Sequence, residues 1–135
     1  MSWTQGHIDE FRASGGKIGG RFEGRPVLLI TTKGAKTGRP HTTPMMYLLE
    51  DGHLYVFASK GGAPTHPDWY WNLVANPTVT VELGTERFEA TATSLADGER
   101  DRVYARQSEL YPQFADYQRK TERVIPVVEL TRQTD

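Results

Sequence analysis

The stretch Thr32–Pro44, TKGAKTGRPHTTP, gathers the groups that grip an anion. Lys33, Lys36 and Arg39 supply charge, and Thr32, Thr37, Thr42 and Thr43 supply hydroxyls. Gly34 and Gly38 permit tight, left-handed backbone and would expose amide N–H groups, the makings of an anion nest between two strands. From Gly24 to Leu49 there is no Asp or Glu, while Arg25 adds one more cation to the window. The whole chain carries a formal charge of only −1 over 135 residues. The basic cluster is therefore local, which fits a small anionic ligand and argues against nucleic acid. The GxxxxGK[ST] spacing of a P-loop is absent. An ordinary solvated hairpin is the competing reading of the same residues.

Three other groupings could carry chemistry. Ala58-Ser59-Lys60-Gly61-Gly62 sets a polar Ser-Lys pair before two glycines, so a ligand could approach the backbone closely. A flexible turn is the plainer account. In HPDWYWNL, Trp69, Tyr70 and Trp71 exceed what a short helix needs for packing, although at least one of them would plug a barrel end. Tyr111, Phe114 and Tyr117 recur at i, i+3 and i+6; they could stack on a planar ring or simply cover the core. His7, His41, His53 and His66 show no metal-ligand spacing, so no metal site is expected. Ser59 lacks a nucleophile-elbow context, which argues against a hydrolase.

These residues need a frame. The length fits one domain, residues 1–135, able to fold without a metal or disulfide. Cysteine is absent, which excludes disulfides and thiolate chemistry. No apolar signal core opens the chain and no run reaches the roughly 20 residues of a membrane span, so a cytoplasmic location is expected. Residues 1–23 read as a helix over Ser2–Ala13, with Ile8 and Phe11 on one face, followed by the glycine-rich SGGKIGG. Strands are predicted over Pro26–Thr32, His41–Leu49 and His53–Ala58, the last two joined by a Glu50-Asp51-Gly52 hairpin. A helix over Pro67–Ala75, capped by Thr65 or His66, ends at Asn76-Pro77. Two alternating strands follow on either side of Gly84-Thr85, then a polar helix over Asp97–Leu110 and an aromatic segment that reads as a second short helix. Val124–Leu130 closes the chain, with Pro126 implying an edge strand or a bulge. About six strands with few helices around one core predict a small β-barrel of α+β character.

The succession LLITTKGAKTGRPHTTPMMYLLEDGHLYVFASKGGAPTHPDWYWNLVANPTVTVEL, then YPQFADYQRKTERVIPVVEL, closely resembles the deazaflavin-dependent nitroreductase family. The resemblance runs from Phe11 to Leu130, and its most specific elements are ASKGG, WYxNLxANP and YPxxxxYQ…RxIPVV, in that order. It implies a split β-barrel of the FMN- and F420-binding type, an actinobacterial setting, and the 5-deazaflavin coenzyme F420, a flat ring on a polyanionic leash of phosphodiester and glutamates. It places Lys36, Thr37 and His41, with Arg39 beside them, on the phosphate and tail, within a loop running through Thr43 to Pro44. It places Ala58, Ser59 and Lys60 at the deazaflavin ring, Met45 and Trp69 in the groove walls, and Tyr111, Phe114 and Tyr117 over the substrate. The family loop is usually basic where this chain has Ala35 and His41. Relatives that reduce nitroimidazoles carry tyrosine where this chain has Phe114.

The implied activity is that of an F420H2-dependent reductase, transferring a hydride from C5 of the reduced deazaflavin to a quinone-like or nitro-type acceptor, a quinone by preference. The protein would orient the ring, neutralise the tail and cover the acceptor. Ser59 would help to orient the ring, and Tyr111 or Tyr117 would bind the acceptor and donate a proton, with solvent an equal source. Two rivals stand beside this reading: an FMN-binding split-barrel oxidoreductase, and a non-catalytic module that carries the deazaflavin. The resemblance leaves room for peripheral contact with the inner face of a membrane, and for a monomer or a dimer.

Overall fold

A computed structural model describes residues 3–19 and 24–133, with side chains from residue 5 onward. The expected helix start at Ser2 and the lead-in from Gly20 to residue 23 lie outside the described residues. The elements run α1 (Trp3–Ser14), β1 (Val27–Lys33), β2 (Pro40–Glu50), β3 (His53–Phe57), α2 (Asp68–Ala75), β4 (Thr78–Leu83), β5 (Glu86–Ser94), α3 (Asp97–Leu110), α4 (Gln113–Arg119) and β6 (Val127–Arg132). A one-turn 3-10 segment, Lys60–Gly62, lies between β3 and α2. The six strands form a closed antiparallel barrel in the order β1-β2-β3-β6-β5-β4, as the sequence predicts.

Residue alternation sorts the core into an inside and two outer faces. Leu28, Ile30, Leu54, Val56, Val79, Val81, Val128 and Leu130 fill the barrel interior. Leu73 of α2 plugs it, with Trp69 and Tyr70 packed at its margin. On the outside, Val27 and Leu29 meet Ile8 and Phe11 of α1. On another face, Tyr55, Phe57 and Val127 meet Val103 and Tyr104 of α3 and Phe114 of α4. Strands β1 and β3 are thus covered on both faces over most of their length, which is why they read as apolar runs.

Several boundaries depart from expectation. Asp51 (φ 53°) and Gly52 (φ 80°) make the two-residue β2–β3 turn, with Glu50 paired to His53. β6 begins at Val127, after Pro126, and lies between β3 and β5, so it is no edge strand. Proline sits ahead of the ladder, where its missing N–H costs nothing, and its carbonyl accepts the Ala58 N–H at 3.0 Å. The residue before α2 is Pro67, and neither Thr65 nor His66 caps the helix. Both side chains are engaged elsewhere: Thr65 Oγ1 accepts from Lys60 Nζ at 3.1 Å, and His66 Nδ1 faces Arg123 at 2.8 Å.

One irregularity of the barrel makes room for a ligand. β3 pairs only with the Tyr47–Glu50 half of β2. The other half, Pro40–Met46, pairs with β1 alone, leaving one strand edge free. Pro44 is accommodated in that half, where a strand tolerates a missing donor. Among the described residues no helix is long and apolar enough to cross a membrane. That observation lends no support to the expected peripheral membrane contact.

Candidate functional site

The free half of β2 borders a groove with two compartments. The first, about 640 Å3, is lined by Pro44, Met45 and Met46 of β2, Phe57 of β3, the Ser59–Gly61 turn and Trp69 of α2. Gln113, Phe114 and Tyr117 of α4, with Arg25, complete it. The second, about 840 Å3, is lined by Gly34–Thr37 of the basic loop, Pro40–Thr43 of β2, and Asp68, Trp69, Trp71 and Asn72 of α2. Gln5 and Ile8 of α1 flank it. Trp69 belongs to both walls, so the compartments adjoin at this residue.

The loop in the second compartment is built tightly. Gly34 N–H donates to the Arg39 carbonyl at 2.8 Å and Gly38 N–H to the Gly34 carbonyl at 2.9 Å. The glycine amides, expected to face a ligand, are therefore engaged inside the loop. Asn72 docks the loop on α2: its Oδ1 accepts the Ala35 N–H at 3.0 Å and its Nδ2 donates to buried Thr32 Oγ1 at 3.2 Å. The Arg39 N–H donates to Thr37 Oγ1 at 3.2 Å. Among the described residues the Lys36 and Thr37 amides donate to no protein acceptor, and both residues line the compartment. Gly34 has no room for a side chain: a Cβ there would stand 2.8 Å from Thr37 Oγ1 and 3.1 Å from His41 Nε2.

The first compartment is aromatic on one wall and polar on another. Phe114 is buried, edge-on to Phe57 and Tyr117 at centroid distances of 5.5 and 5.2 Å. Its carbonyl accepts the Tyr104 hydroxyl at 2.6 Å. Burial pushes that phenol's pKa up to about 12, so it stays a donor. The turn with Ser59 and Lys60 lines the same compartment. Lys60 holds φ at 47°, a left-handed conformation uncommon outside glycine, and its Nζ donates to Thr65.

Of the residues singled out in the sequence, Lys36, Thr37, His41 and Thr43 share the second compartment, while Pro44, Met45, Ser59, Lys60 and Tyr117 share the first. Trp69 joins them. Ala58, Arg39 and Tyr111 line neither compartment. Ala58 is fully buried, Arg39 is exposed on the loop, and Tyr111 packs on the α3–α4 cluster. Arg25, Gln113 and Asn72 were missed. The acid-free window contained Arg25, but nothing local marks Gln113 or Asn72, whose roles depend on how α4 and α2 dock.

The residues fit a planar ring joined to an anionic tail. One compartment offers aromatic and thioether surfaces with Ser59, Lys60 and Arg25 among them, and the other offers Lys36, free amides and hydroxyls, with Asp68 its one carboxylate. Residues 3–132 match the model of the F420H(2)-dependent quinone reductase family. The chain belongs to that family. Its coenzyme is accordingly F420. The F420H(2)-dependent quinone reductase Rv1261c of Mycobacterium tuberculosis (strain ATCC 25618 / H37Rv) is 41% identical over 132 residues, covering 93% of this chain and 87% of the relative. The solved structure of an F420-H2 dependent reductase, FDR-A, is 45% identical with a TM-score of 0.71, over 78% of this chain and 94% of that one. A structure described as a domain-swapped dimer is 40% identical with a TM-score of 0.73, over 95% and 96% of the two chains. The split barrel inferred from sequence is thus the family's fold.

Proposed function

We propose that the protein reduces a quinone with reduced F420, holding the coenzyme across both compartments. The observation that carries this placement is that a compartment walled by Phe57, Phe114 and Tyr117 and a second one lined by Lys36 and the Thr37, Thr42 and Thr43 hydroxyls share Trp69. Lys36, with the amides of Lys36 and Thr37, binds the phosphate, and His41 and Thr43 extend the grip along the tail. Ser59 and Lys60 orient the ring against Met45 and Trp69. When bound, the reduced deazaflavin supplies a hydride. Addition of that hydride and one proton takes a quinone to its quinol. Tyr117 lines the same compartment, and in this reading its phenol holds an acceptor oxygen and passes it a proton. Phe114, with no donor of its own, suits an apolar quinone ring better than a nitro group.

Anaerobic mixing of the protein with F420H2 and menadione, followed by deazaflavin absorbance, tests the reaction. Parallel titrations with F420 and FMN test the cofactor. Menadione-dependent oxidation and tighter binding of F420 are expected. Equal or tighter FMN binding would refute the assignment of the second compartment to the tail. Tight F420 binding without turnover of any quinone would leave a carrier.

A further inference from the structure

One side chain that bonds across the Ser59–Gly61 turn, from Ala58 to Ala63, is remote from it in sequence. Arg123, between α4 and β6, donates from Nε to the Ala63 carbonyl at 2.9 Å, from Nη1 to the Ala58 carbonyl at 3.2 Å and from Nη2 to the Ser59 carbonyl at 2.9 Å. Its Nη1 also lies 2.8 Å from His66 Nδ1. A guanidinium has no acceptor, so His66 Nδ1 must accept here and the ring must be the neutral tautomer protonated at Nε2. No carboxylate forms an ion pair with Arg123 among the described residues. Three carbonyls and one imidazole share the charge.

The clamp itself is anchored. The Arg123 carbonyl accepts from Gln118 Nε2 at 2.7 Å, and Gln118 Oε1 accepts from Arg100 Nη2 at 2.6 Å and the Ile125 N–H at 3.0 Å. The turn also rests on α4: a Cβ at Gly62 (φ 85°) would come within 2.8 Å of the Tyr117 carbonyl. The polar turn of the ring compartment and α4 are thus tied together through one residue, its guanidinium bonded to the turn and its carbonyl to Gln118 of α4.

We propose that Arg123 is a positioning residue that sets Ser59 and Lys60 against the α4 wall, and that His66 makes this clamp proton-sensitive. Protonated His66 would turn a donor toward a donor. The groups facing it are Arg123 from the segment after α4 and the rings of Tyr70 and Trp71 from α2, at 5.0 and 5.1 Å. Among the described residues no carboxylate is hydrogen-bonded to it. Burial, and then the Arg123 charge, lowers the His66 pKa below its ordinary 6.5. The unfolded chain therefore takes up this proton first as pH falls. The stability of the neutral clamp is complete above pH 6.5 and is lost as pH falls toward the folded value.

The consequence for catalysis rests on the proposed placement of the ring, so two readouts are needed. The first is amide protection of Gly62 and Ala63 in the coenzyme-free protein, by hydrogen exchange from pH 5 to pH 8, a range of about three units spanning the ordinary imidazole value. Protection factors should fall on the acid side in the unmodified protein. His66→Asn, which keeps an acceptor at the δ position but does not titrate, should remove that acid loss. The second is turnover of F420H2 with menadione. Arg123→Lys should lower kcat by about 10–100-fold while KM for the coenzyme, set largely by the tail, moves less than about three-fold. An acid loss of protection that persists in His66→Asn would overturn the proton-sensitive clamp. An Arg123→Lys protein with kcat within about two-fold of the original, or with kcat and KM changed alike, would overturn the positioning role. If Arg123→Lys does not fold, the His66→Asn exchange profile decides alone. Failure of the unmodified protein to oxidise F420H2 would count against the functional assignment, and the exchange measurement would still judge the clamp.

Discussion

Asn72 offers a direct test of whether the loop must be held in place to bind the coenzyme. Its amide makes two bonds to the β1 end and the loop, to Ala35 N–H at 3.0 Å and to Thr32 Oγ1 at 3.2 Å. Thr32 is 1% exposed, so its hydroxyl cannot turn to water when Asn72 is removed. Each bond contributes about 0.5–1.5 kcal/mol net, so Asn72→Ala should release about 1–3 kcal/mol of docking energy. If the coenzyme must restore the loop on binding, its affinity should fall by about 5–150-fold, since about 1.4 kcal/mol is a factor of ten. Asn72→Asp sharpens the test. A carboxylate still accepts from Ala35 and from the Thr32 hydroxyl, so stability should be largely kept. It also brings negative charge beside an anionic tail, so affinity should fall again, and added salt should relieve the loss. Equilibrium titration with F420 and urea unfolding measure the two effects. If Asn72→Ala loses stability but binds F420 within two-fold of the original, loop docking has no part in recognition.

Lys36→Ala should weaken F420 binding by about ten-fold or more, as expected for one charge-assisted contact, with little change in turnover at saturating coenzyme. Arg39→Ala, outside the lining, should cost less in the same titration. Phe114→Tyr should raise nitroimidazole reduction by up to about two to three decades while changing menadione turnover less, because a donor then faces the acceptor; unchanged rates for both acceptors would make Phe114 a packing residue only. Arg12 donates two hydrogen bonds to Glu82, at 3.0 and 2.9 Å, and these hold the Glu82 carboxyl below its ordinary 4.5. That contribution is present above pH 4.5 and is lost as pH falls through the folded value, so Glu82→Gln should flatten this part of the acid limb of Tm.

Local residue pattern was enough for the six strands and their partners in the turns. Asp51-Gly52 specifies a two-residue hairpin from backbone preference alone, and the apolar runs of β1 and β3 follow from burial on both faces. The acid-free window marked the basic loop by charge, which needs no fold to be seen. What pattern could not decide was which atoms of these segments face the groove. The amides of Gly34 and Gly38 are free in any isolated loop, yet here the Arg39 and Gly34 carbonyls accept them. Tyr111 and Tyr117 are equivalent in the aromatic stripe, but α4 directs only Tyr117 into the compartment. Asn72 and Arg123 gain their roles from partners 37–40 and 57–65 residues away, respectively. Such contacts depend on barrel closure and helix docking, and a period read along one segment carries no information about what another segment will bring beside it.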